Sequence, residues 1–285
     1  MPVEPIRANP AGSCFPPRPG ANLVTTWVKT GYEYAVFCVG LALFAALLLV
    51  WNLLAAIVTP LLPRRTGAAL GQMAIMLMSR AYLFVLTLSG LVKLDLDVLD
   101  ALRDERSLIV APNHPSLLDV ALMVSRLPRA VCIMKAGLGE NILLRPTVGL
   151  AGYIRNDSAI ATIRKACTAV RDGRQLLIFP EGTRTTLTPV NRFKGGFALI
   201  AKATGVPVQT VFIETNSPFL GKGWSLFRKP DFPLIYRARL GRRFEVDGGV
   251  KAFVADLEDY YREVLEPGHS HYAASGSLMP RSPIA

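Results

Sequence analysis

Ser107-Leu108-Ile109-Val110-Ala111-Pro112-Asn113-His114-Pro115-Ser116-Leu117-Leu118-Asp119 passes from an apolar run through a polar turn into an amphipathic run that ends at Leu127. The pattern predicts strand, tight turn and helix. His114 falls in the turn and Asp119 within the first turns of the predicted helix. A helix directs its early side chains back toward its own N-terminus, where the histidine lies. A carboxylate there can hold one imidazole nitrogen and leave the other free to take a proton. The same residues also fit a capping arrangement, in which Ser116-x-x-Asp119 satisfies helix N-terminal amides and His114 is a turn residue. On this stretch alone both readings stand.

A second apolar run, Gln175-Leu176-Leu177-Ile178-Phe179, ends in Pro180-Glu181-Gly182-Thr183-Arg184. Here too a strand is expected to run into a polar turn. In α/β sheets chemistry collects at the carboxyl ends of strands. Glycine lets backbone approach a ligand closely, and arginine offers a fork suited to phosphate. A solvated turn with a local Glu–Arg pair is the alternative.

Together these stretches resemble the glycerolipid acyltransferase family, which contains the 1-acylglycerol-3-phosphate acyltransferases. Asn113 to Asp119 is similar to the family's N-H-x4-D block, and Phe179 to Arg184 to its F-P-E-G-T-R block. Arg192-Phe193-Lys194-Gly195-Gly196-Phe197 resembles the F-K-x-G segment, and Val206 to Val211 the last, proline-containing strand motif. Gly152 to Asp157 occupies the place of the second motif, with Arg155 as its arginine. Pro115 stands where many relatives have a polar residue. The stretch from Asn113 to Asp157 looks more like the branch found in bacterial polyene-lipid gene clusters than like the housekeeping enzyme.

The resemblance implies acyl transfer from a thioester to a lipid hydroxyl, most simply that of 1-acylglycerol-3-phosphate, with no covalent acyl-enzyme. It implies His114 as general base and Asp119 as its partner. Glu181, Gly182, Thr183, Arg184 and Lys194 would bind the acceptor, and Lys135 and Arg155 are further candidates. Coenzyme A or acyl carrier protein would carry the acyl group as co-substrate, with no other cofactor. A polyene-type or aminolipid acceptor is an alternative, as is a catalytically silent lipid-binding protein. A serine hydrolase with Ser116 as nucleophile would need a sharp elbow such as G-x-S-x-G, and Pro115-Ser116-Leu117 is not one.

The rest of the chain supplies a membrane context. Residues 1–30 are rich in Pro, Gly and Ala and read as a flexible tail. Ala35 to Val58 is apolar apart from Asn52. At 1.5 Å per residue it makes about 36 Å of helix, enough for a bilayer core of about 30 Å, so 31–63 is expected to be a transmembrane helix. Residues 64–93 form a second apolar segment, Leu70 to Val92 at its heart. Arg80 within it favours a helix in the interface or against the domain. The expected location is a bacterial inner membrane with the site on the cytoplasmic side.

From 94 to 266 the composition becomes that of an α/β domain with a central, mostly parallel sheet flanked by helices. Strands are expected at Leu108–Ala111, Ala130–Met134, Gly152–Ile154, Leu176–Phe179, Val208–Glu214 and Leu234–Leu240. Helices are expected at Leu117–Leu127, Ile160–Asp172, Phe193–Ala203 and Val250–Leu265. Residues 267–285 read as a disordered tail. The net charge of +11 favours an anionic partner such as membrane lipid, phosphorylated substrate or acidic carrier protein. With no helix-turn-helix, zinc-finger or RNA-binding signature, nucleic acid is not expected. Gly221 to Phe244 interleaves basic and aromatic residues, as a membrane or carrier contact or as a solvated edge strand. Cys14, Cys38, Cys132 and Cys167 lack metal-ligand spacing, so no metal is expected.

Overall fold

A computed structural model describes residues 23–135 and 145–266. Most of the expected N-terminal tail and all of the C-terminal one lie outside the described residues. The core is a seven-stranded sheet of β1 (Val92–Asp95), β2 (Leu108–Pro112), β3 (Ala130–Lys135), β4 (Ile154–Asn156), β5 (Gln175–Leu177), β6 (Val208–Thr215) and β7 (Leu234–Phe244). Their order is β1-β7-β6-β2-β5-β3-β4. Strands β2 to β6 run parallel, β7 is antiparallel to β6, and β1 is parallel to β7. The turns after β2 and β5 therefore leave the sheet at the same edge, side by side.

The central strands are covered on both faces, so their sequences read as unbroken apolar runs. Successive side chains enter different layers. Leu108 and Val110 pack with Leu122, Met123 and Leu127, in or just after helix α3 (Asp119–Val124). Ile109 and Ala111 face the other way. There they meet α5 (Ala159–Arg171), α6 (Gly196–Thr204) and α7 (Val250–Leu265) through Ala166, Val170, Phe197, Ile200, Leu257 and Tyr261.

Two long apolar helices precede the sheet: α1 (Leu23–Val58) and α2 (Arg64–Leu88). Both are long and apolar enough to cross a membrane by length and composition. They pack on each other and on α4 (Arg145–Ala151). Asn52, the polar interruption in the first run, is buried and takes the Thr147 hydroxyl at 2.8 Å. Gln72 donates to the Ala151 carbonyl at 2.9 Å. At the other end of α1, Glu33 pairs with Lys229 at 2.7 Å. These attachments lie about 28 Å apart along α1, so the helix runs against the domain rather than standing away from it. Its other side exposes Val39, Leu49, Val50, Leu53 and Ile57.

Several element bounds differ from the sequence expectation, for local reasons. α1 begins at Leu23, well before the apolar run, and takes in the last residues expected in the flexible tail. α2 begins at Arg64 and stops at Leu88, where Ser89 and Gly90 bond back to the Leu86 and Thr87 carbonyls. Val92 is thereby released to pair with Leu234 as the start of β1, a strand not expected. Arg80 is half-buried and lines an open groove of about 780 Å³ between α2, β1 and Ser125–Arg126. The strand expected at Gly152–Ile154 lies at Ile154–Asn156, after the unexpected helix α4.

α2 and α4 approach until backbone meets backbone at Gly71. A Cβ there would lie 2.8 Å from the Ala151 nitrogen and 2.9 Å from the Leu150 carbonyl carbon. Gly71→Ala should therefore loosen the helical pair from the domain despite its better helix propensity. A loss of about 1–3 kcal/mol is expected, read as a lower Tm in detergent.

Candidate active site

The turn after β2 is held from both sides. Asn113 continues the β2–β6 ladder with its side chain: Nδ2 donates to the Ile213 carbonyl at 3.0 Å, and Oδ1 accepts from the Ile213 amide at 2.6 Å. Tyr261 of α7 crosses beneath, its hydroxyl donating to the Ala111 carbonyl and accepting from the Val211 amide at 3.2 Å. His114 is thus carried on backbone that cannot drift from the sheet.

Asp119, at the start of α3, has no exposed surface. Its Oδ2 lies 2.9 Å from His114 Nδ1 and accepts the Ser116 amide at 2.7 Å. Oδ1 has no hydrogen-bond partner among the described residues. Burial raises the Asp119 pKa from about 3.8 to about 6, although the hydrogen bond and charge of His114 pull it down. That shift amounts to about 3 kcal/mol of bias against the carboxylate. The group is therefore ionised at neutral pH and protonated in mild acid. The imidazole stacks on Phe179, ring centroids 3.9 Å apart and planes 19° from parallel. Its Nε2 makes no bond to a described residue. Of the two readings of this stretch, the geometry contains both: Asp119 caps the Ser116 amide and holds the histidine with one oxygen.

The turn after β5 supplies the second support. Glu181 is buried, and its carboxylate accepts the His114 amide at 2.9 Å, the Thr185 hydroxyl at 2.7 Å and the Asn191 amide at 2.9 Å. Its oxygens accept three of the protein's own donors, which gives it a positioning role toward the His114 turn. Gly182 has φ +65°, and a Cβ there would meet the Lys194 chain at 2.8–3.0 Å. The lysine stem lies across the glycine and its end is exposed. Arg184 donates Nη1 to the carbonyls of Leu220 at 2.8 Å and Gly221 at 2.9 Å, so only part of its fork is open to a ligand. Thr183 is half-buried beside it.

The remaining candidates lie farther out in the fold. Arg155 sits on the edge strand β4 and pairs with Asp157 at 3.2 Å, with no bond to the histidine turn. Lys135 closes β3, and its side chain lies outside the described residues. Ser116 has no exposed surface, donates to the Phe219 carbonyl at 2.9 Å and accepts from Tyr236 at 3.3 Å, so it is a brace and not a nucleophile. Burial pushes the Tyr236 phenol up to about 12, which keeps it protonated as that donor.

Sequence reading did not find Thr185, Asn191 or Tyr236. Asn191 Oδ1 accepts from the Thr186 and Leu187 amides, both at 3.1 Å, and so shapes the loop that carries Arg184. Its only signal was a polar residue ahead of the Arg192–Phe197 segment.

Residues 93–214 match the family model described as Acyltransferase. That segment is similar to the acyltransferase family. The chain is similar to 1-acyl-sn-glycerol-3-phosphate acyltransferase of Cocos nucifera, 36% identical over 107 residues, 34% of this chain and 33% of that one. It is also similar to the chloroplastic 1-acyl-sn-glycerol-3-phosphate acyltransferase BAT2 of Brassica napus, 31% identical over 120 residues, 40% of this chain and 35% of that one. The chain spans about a third of the length of the curated relatives it matches. The crystal structure of the 1-acyl-sn-glycerophosphate (LPA) acyltransferase PlsC from Thermotoga maritima shares the fold, with a TM-score of 0.60 and 19% identity, over 87% of this chain and 99% of that one.

Glu181→Gln separates a positioning role from a binding one. The amide would set a donor against one of the donors the carboxylate accepts and loosen the turn that carries His114. The expected result is a fall in kcat of about tenfold or more with little change in acceptor KM. Because the Glu181 charge raises the Asp119 pKa, the acidic limb of the rate profile should also move to lower pH.

Proposed function

We propose that the protein is a membrane-associated O-acyltransferase that moves a fatty acyl group from a thioester, on coenzyme A or acyl carrier protein, to the free hydroxyl of 1-acylglycerol-3-phosphate or a closely similar lysolipid. The observation that carries this reading is the His114–Asp119 unit: a buried carboxylate on Nδ1 and, among the described residues, no partner on Nε2 and no available nucleophile beside it. The acyltransferase-like segment and its 1-acylglycerol-3-phosphate relatives support the substrate class.

In this mechanism Nε2 removes the hydroxyl proton as the oxygen attacks the thioester carbonyl. The tetrahedral intermediate collapses by breaking the carbon–sulfur bond. The departing thiolate takes the proton back from the imidazolium, and the ester remains on the lipid. Asp119 fixes the Nδ1–H tautomer and stabilises the transient imidazolium, a task suited to a site of low dielectric. The open part of the Arg184 fork, with Lys194 and Thr183 beside it, receives the acceptor phosphate. Arg155, on β4, would add positive charge along the same edge, offset by its pair with Asp157.

The exposed apolar sides of α1 and α2 support association with a membrane. Their attachment along the domain favours a pair immersed on one side over a span that leaves the domain behind. The site then opens toward the lipid that supplies the acceptor, on the cytoplasmic face where acyl thioesters are made.

The test is transfer of labelled acyl groups by the detergent-solubilised full chain, offered acyl-CoA and acyl carrier protein against lysophosphatidate and other lysolipids. Wild type should label one lipid class. His114→Ala should lose about two orders of magnitude or more. Survival of activity in that variant would sink the mechanism. In wild type, kcat/KM should fall as pH drops through about 6, where Asp119 takes a proton and can no longer balance the imidazolium.

Asp119→Asn should lose activity comparably without losing stability. A carboxyl group whose folded pKa is raised opposes folding once pH exceeds its unfolded value, so ionised Asp119 costs stability at neutral pH. Thermal unfolding at pH 7 is expected to give a Tm for the asparagine variant at or above that of wild type.

A further inference from the structure

The loop between β6 and β7 does two things at once. Its first part supports the site: the Phe219 carbonyl accepts from Ser116, the Leu220 carbonyl accepts the Leu117 amide at 3.0 Å, and the Leu220 and Gly221 carbonyls take Arg184. Its second part is fastened to α1. Lys229 pairs with Glu33 at 2.7 Å, both side chains largely buried, and lies 5.5 Å over the Tyr34 ring. Phe219 meets Phe37 of α1 edge-on at 6.3 Å.

Between these anchorages the loop carries an apex with no support of its own. Phe227 is 83% exposed, the most exposed large apolar side chain among the described residues, and Leu226 is 49% exposed. The base beneath them is ordered by its own bonds. Trp224 Nε1 donates to the Arg228 carbonyl at 3.0 Å, and the Arg228 guanidinium lies 4.5 Å over the indole. Lys222 and Arg228 flank the apex and are exposed, and Asp231 is the one acidic residue between Gly221 and Pro233. On α1, close to the Lys229 attachment, Val24, Trp27, Val28 and Tyr34 also point outward. Apolar tips, flanking cations and neighbouring interfacial aromatics are the composition that suits an anionic lipid surface. An acidic carrier protein would use the cations but leave Phe227 and the α1 aromatics unexplained.

We propose that this loop is a docking surface for an anionic bilayer: Leu226 and Phe227 enter the head-group region while Lys222 and Arg228 meet lipid phosphates. The proposal rests on the membrane reading above and deepens it by naming lipid charge as what the loop recognises. Through Phe219 to Gly221, docking holds Arg184 and the His114 turn at the depth of the acceptor's phosphate.

The experiment uses the full chain with phosphatidylcholine vesicles, with and without phosphatidylglycerol. A polarity-sensitive dye is placed on Phe227→Cys, with Cys14 and Cys38 changed to serine; Cys132 and Cys167 are buried. The dye should shift to the blue and be quenched by brominated lipid only when anionic lipid is present. Each basic residue near such a surface is worth about fivefold in affinity, so Lys222→Glu with Arg228→Glu should weaken the response more than about tenfold. Leu226→Ser with Phe227→Ser should lower transfer on anionic vesicles by a similar factor and leave transfer in detergent micelles within about twofold of wild type. A dye that stays unshifted while the protein floats with the vesicles overturns the loop proposal and leaves the membrane reading standing. A protein that does not float with either vesicle overturns both. A dye that responds to acyl carrier protein and not to vesicles overturns it in favour of a protein partner.

Discussion

A carboxylate with no exposed surface sits between an imidazole and a backbone amide, and the surrounding structure is arranged to make that tolerable. Asp119 has two fixed partners on Oδ2, and burial still holds its pKa near 6. A charge so placed costs stability unless its partners stay where they are. His114 is kept there by the stacked Phe179 ring and by the bond from its own amide to Glu181. Ser116 is kept there by the Phe219 carbonyl and the Tyr236 hydroxyl. These supports come from the turn after β5, the loop after β6 and strand β7. Only a sheet in which β5, β2 and β6 are neighbours can bring them to one place.

The polar residues inside the fold accordingly serve as ties between strand ends. Asn113 extends the ladder to β6, Tyr261 bridges β2 and β6 from α7, and Glu181 joins the β5 turn to the β2 turn. Each satisfies backbone groups that would otherwise be buried without partners at the frayed end of a sheet. Glu181 is instructive because its motif invites a ligand role. A carboxylate that accepts two amides and a hydroxyl from the chain has little left to offer a substrate. What the turn presents outward is the lysine lying over Gly182 and the free part of Arg184.

The same ties reach the apolar helices. The β6–β7 loop touches Ser116 and Arg184 at one end and Glu33 of α1 at the other, so the candidate site and the helical pair share one connecting segment. Asn52 and Glu33, the polar and charged residues buried in α1, both bond to the domain. Their burial marks the side of the helix that faces protein, and the exposed leucines and valines mark the other.

Much of this was legible in the chain itself. Apolar runs too continuous for a half-solvated sheet read as buried parallel strands, because residues of both faces must be apolar. His114 and Asp119 could be paired because they are five residues apart across a turn into a helix, where local geometry alone brings them together. Helix α7, with its strong amphipathic pattern, appeared with the expected bounds. What tertiary structure decided were relations between distant residues. Glu181 is 67 residues from the amide it holds and Tyr236 is 120 from Ser116, separations at which no local pattern survives. The short strand β1 was hidden at the end of an apolar run, since its pairing with β7 depends on a partner far along the chain. The loop between β6 and β7 read as basic and aromatic from its sequence, but its place beside α1 and beneath Arg184 depended on packing. Local spacing could define the reacting pair; long-range hydrogen bonds and burial determined which residues hold it in position.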